Sequence, residues 1–70
     1  MSCYKQRLAF LRAKLRHAAG VYEQSPDSEN RVSLLLTYSQ LQGFLEALVL
    51  SGVMDETKYL EEVSAIEAMF

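Results

Sequence analysis

Between Val32 and Met54 the chain carries one charge, Glu46, in 23 consecutive positions. A helix on the surface of a small protein needs a broad polar face, and this segment has almost none. It has to be covered around most of its circumference, either by the rest of a 70-residue chain or by another molecule. The flanking segments are short, so association with something outside the protomer is expected. The run is long enough to span a membrane, but Ser33, Thr37, Ser39, Gln40, Gln42, Glu46 and Ser51 interrupt it. Gln40, Gln42 and Glu46 would each be costly in hydrocarbon, so a buried central helix is expected and a membrane is not a partner.

Seventy residues make a single domain, near the size at which one core barely outweighs chain entropy. Chains of this size gain stability from disulfides, a metal or oligomerisation. Cys3 is the only cysteine and His17 the only histidine, which excludes an internal disulfide and a Cys/His zinc cluster. Association is the remaining route, and a homodimer is expected. The opening residues MSCYKQRLAFLRAK lack the apolar run and cleavage site of a secretory signal, so a cytoplasmic protein with Cys3 as a reduced thiol is expected.

The net charge of −2 hides a segregation: residues 1–22 hold five bases and no acid, whereas residues 23–70 hold all nine acids and only Arg31 and Lys58 as bases. The simplest consequence is attraction between the first and last helices, within one chain or across a dimer. The sharper alternative is that Lys5, Arg12 and Arg16, on one flank of the first helix, act electrostatically on an outside partner. Nucleic acid is disfavoured, because the acidic remainder repels phosphate and the bases lack interleaved exposed aromatics.

Apolar residues at Tyr4, Leu8, Leu11, Leu15, Ala18 and Tyr22 alternate spacings of four and three, the stripe of an amphipathic helix. Arg7 and Lys14 lie on the flank opposite Lys5, Arg12 and Arg16, and Phe10 faces away from the stripe. Ser25 and Pro26 read as the cap and first residue of a second helix, with Asp27 and Glu29 favourable to its dipole. That helix has two apolar sides. One is Leu34, Tyr38, Leu41, Leu45 and Leu48, flanked by Phe44 and Val49. The other is Leu36, Gly43, Ala47 and Leu50, where a mid-helix glycine is costly unless another helix approaches closely. Gly52 suits a left-handed helix terminus. Asp55 can cap a third helix, with Met54 and Tyr59 as a hydrophobic staple. Its stripe is Tyr59, Val63, Ile66 and Phe70, and Glu56, Glu61, Glu62 and Glu67 are expected to form a solvated face. The predicted helices span about residues 3–23, 26–51 and 56–69. The fold class is all-α: an antiparallel hairpin plus a shorter third helix, dimerising into a helical bundle.

Catalytic patterns are missing. His17 has no nucleophile or carboxylate at helical spacing, Glu61 and Glu62 point in different directions, and the three glycines are dispersed. No enzyme activity, cofactor or metal is expected. Recognition surface is what remains, and its candidate residues are Phe10, Leu36, Tyr38, Gly43, Phe44 and Ala47, for a partner or the dimer seam.

The run Tyr38-Ser-Gln-Leu-Gln-Gly-Phe-Leu-Glu-Ala-Leu, then Ser51-Gly52-Val53-Met54-Asp55 and a short helix with Tyr59-Leu60, resembles small helical phage and prophage accessory proteins. It is most like the phage anti-quorum-sensing proteins that bind host regulators as helical dimers. The resemblance covers roughly residues 34–66 and rests on size and helix punctuation. It implies a non-catalytic adaptor or inhibitor that docks on a larger cytosolic, host regulatory protein. A second resemblance, in size and architecture, is to helical-hairpin co-chaperones of type III secretion systems. Two further alternatives are a nucleic-acid-binding regulator acting through the basic first helix and an oligomer that sequesters a small ligand.

Overall fold

Three helices, α1 (Tyr4–Gln24), α2 (Ser28–Leu50) and α3 (Glu56–Glu67), form the protein in a computed structural model that describes residues 4–69. The expected reduced thiol, Cys3, and the last residue of the expected α3 stripe, Phe70, lie outside the described residues. α1 and α2 pack closely as the hairpin, and α3 packs on α2.

In α1 the four-and-three spacing places Leu8, Leu11, Leu15 and Ala18 in the interior. The helix ends at Gln24, and α2 starts at Ser28, not at Pro26. Ser25 stays attached to α1, its N–H donating to the Val21 carbonyl at 2.9 Å. The cap is Asp27, whose Oδ1 accepts from the Asn30 N–H at 2.9 Å. Asn30 also donates from Nδ2 to the Ser25 carbonyl at 2.8 Å, which ties the turn to the helix it starts. A carboxylate offers this dipole end more than a serine hydroxyl, and Asp27 takes the role expected of Ser25.

α2 closes with a complete Schellman motif. Gly52 has φ +80, its N–H donates to the Val49 carbonyl at 3.0 Å, and the Val53 N–H donates to the Leu48 carbonyl at 3.0 Å. Asp55 then caps α3, Oδ1 accepting from the Lys58 N–H at 2.8 Å. Met54 and Tyr59, on either side of that cap, both join the core.

The core gathers Leu8, Leu11 and Leu15 from α1, Leu41, Leu45 and Leu48 from α2, Met54 from the connection and Ile66 from α3. These residues sit in the half of the hairpin remote from the Ser25–Asp27 turn. With 12 residues, α3 is about 18 Å long, roughly half the length of α2. Toward the turn it runs out, and Tyr22, Leu34 and Tyr38 are left half-buried. The smallest Cα extent of the molecule, 15 Å, matches two packed helix layers, a Cα cylinder of about 4.6 Å plus a spacing of about 8–10 Å. Two layers cannot enclose α2 on every side.

Glu62, expected in a solvated face, is buried instead. It lies three residues after Tyr59 and four before Ile66, on the inward stripe of α3. Its Oε1 accepts from Arg12 Nη1 at 2.8 Å, and Lys58 Nζ lies 3.5 Å from Oε2. This ion pair joins α1 to α3 within one chain, in line with the expected attraction between the basic and acidic ends. Arg12→Ala would leave the buried carboxylate with Lys58 as its only ionic partner among the described residues. Leaving a buried acceptor under-satisfied costs about 1–3 kcal/mol, so the urea midpoint of Arg12→Ala is expected to fall accordingly. A loss under about 0.5 kcal/mol would class the pair with ordinary surface bridges and contradict a role in holding α3.

Candidate interaction site

The inward side of α2 is Thr37, Leu41, Leu45 and Leu48, all buried. Thr37 satisfies its hydroxyl by donating to the Ser33 carbonyl one turn back, at 2.8 Å. At 100° per residue the opposite side is Val32, Leu36, Ser39, Gly43, Ala47 and Leu50, with Leu35 and Glu46 on one flank. Every one of these is exposed, Leu36 to 60% and Leu50 to 88%. The stripe runs some 18 residues, about 27 Å along one helix, with Glu46 its only charge. Isolated surface leucines are ordinary, but here Val32, Leu35, Leu36 and Leu50 are exposed together on one helix, with only the small residues Ser39, Gly43 and Ala47 between them on the same side.

The candidate residues divide between this face and other parts of the protein. Leu36, Gly43 and Ala47 lie together on it. A Cβ built at Gly43 would meet nothing within 4 Å, so no close approach inside the chain explains the glycine. Tyr38 and Phe44 sit between the two faces, half-buried and packed against the core. Phe44, expected as outside contact, is thus partly used internally. Phe10 is 54% exposed on α1, with the Arg7 guanidinium 5.6 Å and the Lys14 ammonium 5.9 Å from its ring centre. Lys5 and Arg16 are exposed, whereas Arg12 is engaged by Glu62.

Two members of the outer stripe escaped sequence reasoning, Val32 and Leu35. Val32 stands four residues before Leu36 and eighteen before Leu50, and that periodicity would have found it. Leu35 adjoins Leu34 and Leu36 in an apolar triplet, and its face depends on which neighbour points inward.

His17 is exposed on α1. Among the described residues no cluster of three or more His, Cys, Asp or Glu side chains could hold a metal, and no helix is long and apolar enough to cross a membrane. Comparison with protein families, curated proteins and solved structures found no match to this chain.

Proposed function

We propose that this is a non-catalytic protein-binding adaptor or inhibitor that acts as a homodimer on a larger cytosolic protein. The observation that carries the proposal is the outer face of α2, which leaves Val32, Leu35, Leu36 and Leu50 all more than half exposed on one helix. Its order of side chains suits a second copy. Bulk is concentrated at Val32, Leu35 and Leu36, and the small residues Ser39, Gly43 and Ala47 follow. An α2 helix of a second protomer running antiparallel would lay each Leu36 over the other chain's Ala47, with Ser39 and Gly43 near the two-fold axis. Close approach there offsets the roughly 1 kcal/mol that a mid-helix glycine costs. Phe10, on a different helix and outside this seam, is then available as an anchor for the larger partner.

The test is capture from a source-cell lysate with tagged protein, comparing the wild type with Leu36→Glu and Phe10→Ala. The expected result is one larger protein recovered in near-stoichiometric yield and lost with Phe10→Ala, whatever Leu36→Glu does through the dimer. No recovered protein, or undiminished recovery with Phe10→Ala, contradicts the proposal.

A further inference from the structure

The hairpin has two grooves, one on each side of the α1–α2 contact, and α3 fills one of them. Arg12 marks that side through its bond to Glu62. Lys14, two residues on, points to the opposite flank. There, Arg7, Leu11, Lys14, Gln40 and Phe44 line an open groove of about 400 Å³. It continues past Lys14 into a smaller hollow of about 230 Å³, which includes His17, Val21 and Thr37. None of the chain's nine carboxylates lines either part. In a protein of net charge −2 this is an acid-free strip with two cations that have no carboxylate partner among the described residues.

The cations have neutral neighbours in place of acids. Arg7 and Lys14 both lie over the exposed ring of Phe10, and Lys14 Nζ donates to Gln40 Oε1 at 3.5 Å.

We propose that this second groove docks an acidic amphipathic helix of a partner protein. Its carboxylates would meet Arg7 and Lys14, and its apolar side would lie on Phe10, Phe44 and Val21. The molecule already shows this arrangement once: α3, with Glu56, Glu61, Glu62 and Glu67, seats a carboxylate on Arg12 from the other side of the hairpin. Nucleic acid fits less well, because two cations neutralise few phosphates and the acidic body opposes a polyanion. The proposal rests on the reading of Phe10 as the anchor for the larger partner, whereas the groove is separate from the outer face of α2 and does not depend on dimerisation.

The experiment is fluorescence anisotropy of the full chain with a short labelled Glu/Leu/Ala amphipathic helix, beside a labelled single-stranded DNA of equal charge. Amide shifts of the protein map the site. Saturable peptide binding is expected, weakening with salt and shifting residues around Arg7, Phe10, Lys14 and Phe44. The double variant Arg7→Glu/Lys14→Glu is expected to weaken it roughly tenfold or more, since like charges facing each other are strongly unfavourable. Arg16→Glu, on the α3 flank, and Leu36→Glu, on the outer face of α2, are expected to leave it within about twofold. All of these are exposed positions whose folding is checked by circular dichroism. No saturable binding, shifts on the α2 outer face, an equal loss with Arg16→Glu, or tighter binding of the DNA would each overturn the proposal. Failure of Leu36→Glu to dimerise while peptide binding persists would leave the two surfaces independent, as proposed.

Discussion

Leu45→Ala is expected to remove a large share of the chain's stability and to lower its urea midpoint far more than any surface truncation. Leu45 has no exposed surface and sits at the centre of a core of eight buried residues. Truncating such a leucine removes its transfer free energy and leaves a cavity, together about 3–5 kcal/mol. The whole stability of a domain of this size is only about 4–10 kcal/mol at 0.05–0.15 kcal/mol per residue. The neighbours that would have to close the void, Leu15 and Leu41, are themselves fixed in the interior on both helices of the hairpin. The check is a urea titration followed by circular dichroism, with Leu60→Ala as the surface control. Leu60 is 60% exposed on α3, and its truncation is expected to stay within about 0.5 kcal/mol. Near-equal effects of the two variants would mean that the core described above does not hold the hairpin together.

Gly43→Leu is expected to weaken dimerisation by at least about tenfold, the equivalent of 1.4 kcal/mol at the lower end of overpacking costs. The sign of its effect separates the proposed seam from a bare surface. Within the chain a Cβ at Gly43 meets nothing within 4 Å. In a monomer, therefore, either Ala or Leu here simply improves an exposed helix position by about 1 kcal/mol and raises the melting temperature. In a dimer crossing at this point, Leu forces the two α2 helices apart, and both the mass and the concentration-dependent part of the melting temperature fall. Paired light scattering and thermal melts of the wild type, Gly43→Ala and Gly43→Leu therefore read opposite signs under the two accounts. An unchanged assembly with a higher melting temperature for Gly43→Leu would remove Gly43 from the interface.

Much of the fold was legible because its signals are local. The stripe from Leu8 to Ala18 repeats without a slip, Gly52 and Asp55 sit where a helix ends and the next begins, and one apolar side of α2 is continuous from Leu41 to Leu48. The start of α2 was less so. Ser25-Pro26 and Asp27-Ser28 are competing start signals, and the choice is made by Asn30, which bonds to both Asp27 and Ser25. Glu62 lies on the inward stripe of α3 by register, and Lys58 one turn back is legible beside it, but its burial also depends on Arg12, which arrives from a helix fifty positions away.

The interaction surfaces were legible in part for a similar reason. A charge-free segment announces that α2 needs cover, and Leu36, Gly43 and Ala47 share one face by periodicity alone. Which flank of α1 stays open depends on the side that α3 takes, and nothing in α1 encodes that. The flank of Lys5, Arg12 and Arg16 faces α3 and spends Arg12 on it, so Arg7 and Lys14 are the cations left beside Phe10. The break in symmetry between two basic flanks is made by tertiary packing.

The most direct test of a homodimer closed across the outer face of α2 is the solution mass by light scattering over a dilution series. The account predicts twice the chain mass of 7.9 kDa at high concentration, falling toward one chain mass on dilution or on introducing Leu36→Glu. A mass of one chain at every concentration, unchanged by Leu36→Glu, would contradict it.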